Sequence, residues 1–407
     1  MAASIRWLPT EGNYIMSRRA VLPACCLLFL AVPTAAQADA GTPLLWAGML
    51  HLVVFNFFIG LLEASVLAKV FHLPKLKTNA AIIAANYFSM IVGLLIIRAA
   101  WTPLERLLPG QAPLYKGAAL LLLLGLGSWM LSVVLEWPFC AWTLRTERTP
   151  RSQNSWRTSL RASVIAQTAS YALLVPFYLL VSPISLYTQS RIQHSLAFVK
   201  PSQAVVYYIN TQDGGVWRIR MDGTEETKVL DAHVQDNNTR LFLRPNVKSG
   251  LSDLGMAEQI SSADSPTKYT TKYTMLLTGV GSGFVPMPNT RKGHERVTWG
   301  NFGQPDDLRL GERGWTVFTG YWAAEGITIF HGKSSDFWSN SRVYTLAFET
   351  PFEQWNCRNA TVLPGNQVVF QLGQDRTDAQ VVILDMEHRN LACLTMGQGP
   401  VVVLDAK

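Results

Sequence analysis

Four long apolar segments, Leu44–Lys69, Ala80–Trp101, Ala118–Cys140 and Ser163–Leu186, dominate the first half of this 407-residue chain. Each supplies roughly the 20 apolar residues that a helix needs to cross about 30 Å of hydrocarbon. Backbone polar groups in lipid must be satisfied within the segment, so each of the four is expected to be a transmembrane helix. Upstream, Arg18 and Arg19 precede the apolar run Val21–Val32, and small residues from Ala35 to Ala40 offer a cleavage site after Ala36-Gln37-Ala38. A run that short reads as the core of a signal peptide rather than a span. The expected division is a leader with an upstream extension at 1–38, a four-helix transmembrane domain at 39–187 and an extracytoplasmic β-rich domain at 188–407.

Charge fixes an expected orientation. The loop after the first span carries Lys69, Lys75 and Lys77, and the loop after the third carries Arg145, Arg148, Arg151, Arg157 and Arg161. The loop between the second and third holds only Arg106 and Lys116. The positive-inside rule places the first and third connections in the cytoplasm, and a cleaved leader independently starts the chain outside. Four crossings then return it outside near residue 187. The implied location is a bacterial cytoplasmic membrane, multi-pass, with the second half periplasmic. Although the whole chain has a net charge of +7, residues 1–187 carry 14 Lys/Arg against 6 Asp/Glu and residues 188–407 carry 21 against 22. The excess belongs to the membrane half, which removes the argument for a nucleic-acid partner.

Polar side chains inside the spans need a reason, because a charged group in hydrocarbon costs about 2.5–3.5 kcal/mol on insertion scales. Asn56, Gly60 and Glu63 share one helical face of the first span. Asn86, Ser89 and Gly93 do so on the second, and Gly125, Ser128, Ser132 and Glu136 on the third. Such small and polar stripes suit helix–helix contacts. Glu63 and Glu136 are expected at similar depth near the cytoplasmic face, meeting Lys69 or the arginine-rich loop. The functional alternative is a proton or cation site built from the two carboxylates. His51 lacks a second intramembrane histidine for bis-histidine ligation of a haem, so it reads as a hydrogen-bonding packing residue.

From Gln203 the periodicity changes. Val205–Ile209 is a β-branched and aromatic run, Asp213-Gly214-Gly215 signals a hairpin, and Val216–Arg220 alternates apolar and basic residues. The same grammar returns at Val368–Leu372, Val381–Asp385 and Leu391–Leu394. The offset from Val205 to Val368 is about four propeller-blade lengths of roughly 40–45 residues. Intervening runs at Arg240–Leu243, Tyr273–Leu277, Trp315–Phe318 and Arg342–Leu346 also read as strands, whereas Ser249–Lys268 reads as a loop or insertion. Ala204–Leu230 and Pro364–Leu394 resemble β-propeller blades, which implies a propeller-like domain of five blades with Val401–Leu404 closing the first; a β-sandwich is the alternative. The order of a four-span anchor followed by such a domain resembles bacterial multi-pass membrane proteins with an exported β domain. That resemblance implies no particular activity.

Motifs with specific chemistry are scarce. Gly279-Val280-Gly281-Ser282-Gly283 lacks the Lys-Ser/Thr of a phosphate loop and reads as a strand connection. The exported histidines are scattered, no Gly-x-Ser-x-Gly elbow occurs, and neither cysteine pairs nor calcium loops have ligand spacing. Catalytic residues, cofactor and metal are therefore all assigned as none. Cys357 and Cys393 stand as the disulfide alternative to two free thiols in an oxidising compartment. The aromatic tract 314–355, with Trp315, Tyr321, Trp322, Trp338 and Trp355, offers either core packing or a partner surface. The reading that follows is a non-enzymatic, membrane-anchored interaction protein that binds a partner in the membrane or envelope. Its rival is a small transporter or channel subunit using the intramembrane carboxylates, with the β domain as a cap.

Overall fold

The computed structural model describes residues 50–106, 113–145, 156–180, 184–200, 203–237, 239–246, 248–262, 265–282, 315–319, 326–331, 342–349, 354–355, 357–363, 365–373 and 378–404. The leader, Tyr321, Trp322 and Trp338 lie outside these residues. Four helices come first: α1 (Asn56–Phe71), α2 (Lys75–Arg106), α3 (Pro113–Leu144) and α4 (Trp156–Leu180). A π-helical turn, His51–Phe55, leads into α1, and His72 ends it in a left-handed conformation at φ 54°. Pro74 then separates α1 from α2, as a residue with no N–H and a fixed φ should. Gly60 lets these two helices approach closely, since a Cβ there would lie 3.0 Å from the Ile83 Cα. Where the sequence suggested four spans, α3 and α4 are the two helices among the described residues that are long and apolar enough to cross a membrane.

A short helix α5 (Leu186–Gln189) leads into the β-rich part. Its centre is an eight-stranded sheet, in which β13 (Cys357–Leu363), β14 (Gln367–Leu372), β15 (Gln380–Asp385), β16 (Asn390–Leu404), β2 (Ala204–Asn210), β3 (Val216–Arg220) and β4 (Thr227–Leu230) follow one another in space. The two-residue β1 (Arg191–Ile192) lies parallel to β16. β16 pairs with β15 through its first half, Leu391 opposite Leu384, and with β2 through its second half, Val402 opposite Val206. The switch falls at Gly397-Gln398-Gly399, where a Cβ on Gly397 would sit 2.3 Å from the Tyr208 ring.

Both faces of this sheet are covered. Val369, Val381, Ile383, Ala392 and Leu394 turn to one core with β5 (Arg240–Asn246) and β6 (Leu251–Ser262), through Leu241, Leu243, Leu254 and Met256. Val368, Phe370, Leu372, Val382, Leu384 and Leu391 turn to a second. That second core takes Val317 of β8 (Trp315–Thr319), Ile327 and Ile329 of β9 (Ile327–His331), and Tyr344 and Leu346 of β10 (Arg342–Leu346). Double coverage explains why β14 and β15 are buried at every position and carry the unbroken apolar stretches Val368–Phe370 and Val381–Leu384.

Several expectations change. Val401–Leu404 does pair with the first hairpin, but it belongs to one through-going sheet, and no closed propeller forms among the described residues. Ser249–Lys268 is largely strand: β6 and β7 (Ser265–Gly281) form a long hairpin whose pairing runs on to Ser262 opposite Ser265. β5 pairs only as far as Ala257, so the hairpin tip stands beyond the three-stranded sheet. Cys357 and Cys393 are free thiols on β13 and β16, with two strands between them. A disulfide needs Cα atoms within about 7 Å.

Candidate functional site

All four helices contribute polar side chains to a single buried point. Glu63 of α1 and Glu136 of α3 are 0% and 1% exposed. Asn86 of α2 donates its amide to Glu63 Oε2 at 2.6 Å, and Ser89, one turn further along α2, donates to Glu136 Oε1 at 2.6 Å. Gln167 of α4 bridges the pair, its Nε2 donating to Glu63 Oε1 at 3.2 Å and to Glu136 Oε2 at 2.7 Å. All four carboxylate oxygens thus accept a hydrogen bond from an uncharged donor. Of the expected partners, Lys69, Arg145, Arg157 and Arg161 are among the described residues and none of them pairs with either carboxylate, whereas Arg148 and Arg151 lie outside the described residues. The helix faces lock together around this point, for Ser163 of α4 donates to the Val133 carbonyl of α3 at 2.7 Å.

Gln167 went unremarked in the sequence, yet its signal was there. Ser163, Gln167 and Ser170 recur at i, i+4 and i+7 on α4, and all three are buried. Asn56 and His51 stand apart from the carboxylates. Asn56 is buried with its amide 3.6 Å from Met90 Sδ. His51 Nδ1 is 2.5 Å from the Tyr178 hydroxyl, with the two rings edge to face. Among the described residues no group of three or more His, Cys, Asp or Glu side chains is placed to hold a metal.

A second feature ties this bundle to the sheets. Leu114, in the first turn of α3, is fully buried in the second β core, and its backbone N–H donates to Gln380 Oε1 at 2.9 Å. That N–H is one of the four a helix start leaves without an internal partner. Tyr115 donates its hydroxyl to the Gln193 carbonyl, accepts from Cys393 N–H, each at 3.0 Å, and stacks on His194. Tyr187 adds a bond to the Leu114 carbonyl. The helix that carries Glu136 is therefore plugged into the β domain at its other end.

The proposed partner surface is only partly visible. Trp315 is half-buried on β8, packs against the second core and meets His331 edge-on, which is a packing role. Trp355 lies on the two-residue strand β12 (Gln354–Trp355), paired with Phe348 of β11 (Phe348–Glu349). The Cys393 thiol donates to the Thr395 carbonyl, and burial pushes it up to about 12; Cys357 is pushed up further by the same cause. No known protein family, curated protein or solved structure matches the chain.

Proposed function

We propose that α1 to α4 together cross a membrane and that Glu63 and Glu136 form a proton-binding pair within it, making the protein a proton-coupled membrane subunit capped by its β domain. The observation that carries this reading is the network around Gln167. Two carboxylates share one amide, and among the described residues no cation pairs with either of them. Two bare negative charges held together in a low-dielectric interior cost several kcal/mol, and a proton shared between them removes most of that cost. Asn86, Ser89 and Gln167 position the oxygens and keep them from pairing elsewhere.

The membrane setting is supported by inverted polarity. Asn56, Glu63, Asn86, Ser89, Glu136 and Gln167 are buried, while Phe57, Phe58, Ile91, Leu122, Leu126 and Leu179 are exposed. A bundle in water would arrange these the other way round. The attachment of α3 to the β domain agrees with a topology in which the start of α3 and the second half share the extracytoplasmic side. The test is a pyranine-loaded vesicle holding the full-length protein under an imposed pH gradient. Glu63→Gln/Glu136→Gln keeps the hydrogen-bonding shape and should abolish the proton leak of the wild type. An unchanged leak from an intact double variant would sink the proposal.

A second reading, an extracytoplasmic interaction module within a larger complex, is favoured by the β6–β7 hairpin. Its outer half stands beyond β5, and nearer its base, where β5 still pairs with β6, β7 exposes Tyr273 and Met275. Proteins that co-purify with the full chain should be lost on Tyr273→Ser/Met275→Ser. Identical retrieval by both chains counts against that reading.

A further inference from the structure

One end of the bundle collects cations that form no ion pair with any described residue. The α1 C-terminus, the α2 N-terminus, the α3 C-terminus and the α4 N-terminus converge there, carrying Lys69, Lys75, Lys77, Arg145, Arg157 and Arg161. Lys77 reaches across to donate to the Arg145 carbonyl at 3.2 Å, and Trp137 of α3 donates to Ser159 of α4 at 2.7 Å, so the ends of α2, α3 and α4 are drawn together. Five of the six cations are exposed and Lys77 is half-buried. None forms an ion pair with a described residue. The β domain behaves differently: Arg220 pairs with Glu225, and Lys228 with Asp213 and Asp231. In sequence, 64–80 holds no acidic residue and 137–162 holds one, Glu147.

Two exposed tryptophans stand among these cations. Lys77 lies 5.1 Å from the Trp142 ring centre and Arg157 lies 5.7 Å from that of Trp156. Trp142 and Trp156 are 52% and 59% exposed. Amphipathic indoles settle at the headgroup level of a bilayer, where phosphates are the available counter-charge.

We propose that this end of the bundle seats the phosphate of an anionic glycerophospholipid, held by Lys77, Arg157 and Arg161 and flanked by Trp142 and Trp156. The inference rests on the reading that the helices span a membrane. Lipid is the occupant because the cations share their level with exposed indoles and apolar helix faces, a combination that a soluble anion does not need.

The experiment reconstitutes the full-length protein in nanodiscs made of equal parts phosphatidylcholine and phosphatidylglycerol. It then quantifies by mass spectrometry which lipid stays bound through detergent extraction. Phosphatidylglycerol should be retained in preference, and Lys77→Gln and Arg157→Gln should each lower that preference about fivefold. Lys116→Gln, at the opposite end of α3, should leave the ratio unchanged. Equal retention of both lipids, or a preference that neither substitution moves, overturns the lipid seat while leaving the membrane reading intact. Displacement of the lipid by excess inorganic phosphate overturns lipid as the occupant. A protein that fails to enter the nanodisc overturns both readings.

Discussion

The helical bundle and the β domain obey opposite rules of burial. In the β domain the central sheet hides Phe370, Ile383 and Val402. In the bundle the hidden residues include two glutamates, a glutamine and an asparagine, while leucines and phenylalanines face outward. Hydrophobic burial drives folding only where water is the alternative. Where the alternative is lipid, packing and hydrogen bonding between helices remain, and polar groups turn inward to find one another. On the membrane reading proposed above, one chain holds two solutions to the same problem.

Substitutions that mean different things in the two halves test this contrast. The largest effect is expected at Phe370: Phe370→Ala should destabilise the β domain by about 3–5 kcal/mol. Urea unfolding followed by the near-ultraviolet signal measures it, and a negligible change would deny that the sheet is covered on both faces. Leu126→Asp is the converse. Leu126 is 53% exposed on α3, so in water an aspartate there would be harmless. In lipid it should cost about 2.5–3.5 kcal/mol and move the protein out of the membrane fraction. Gln167→Leu removes one donor from each carboxylate. A loss of about 1–3 kcal/mol in detergent is expected, and a neutral result would mean that the bridge is incidental.

The smallest effect concerns the two thiols. Burial raises the folded Cys393 value from 9.0 to about 12. Its contribution is fully present below about pH 9 and is lost as pH rises from there toward 12. Maleimide labelling of Cys357 and Cys393 in the oxidant-treated native protein should stay slow at pH 8 and become rapid on unfolding. Unfolded protein that still resists labelling would restore the disulfide.

Much of the local structure was written in the chain. The runs Val205–Ile209 and Val381–Leu384 announced strands, and the turns at Asp213-Gly214 and Glu387-His388-Arg389 fall where their residues indicated. The assembly of those hairpins was not written locally. A blade and a meander share the same turn grammar, and the pairing of β16 with β2 joins positions almost two hundred residues apart in sequence. The β6–β7 hairpin was hidden for another reason. Its outer half lies beyond β5 and so has no sheet to alternate against, leaving Thr270, Thr271 and Lys272 without a hydrophobic period. In the bundle, the apolar lengths and the Glu63 and Glu136 stripes were visible, but which donors would meet them depended on how α4 rotates against α1 and α3.

The position of β16 also orders events in time. It comes after every other described strand in sequence, yet it occupies the middle of the central sheet, between β15 and β2. Until it is synthesised, β2–β4 and β13–β15 are two separate fragments. Each then displays an open edge of unpaired backbone groups, the kind of edge that recruits strands from other molecules. Closure must also wait for a contact between distant parts of the chain, which is intrinsically slow. The final β16 segment therefore acts as a late zip, and a chain stalled before it is made is the species most exposed to aggregation and to quality-control proteases.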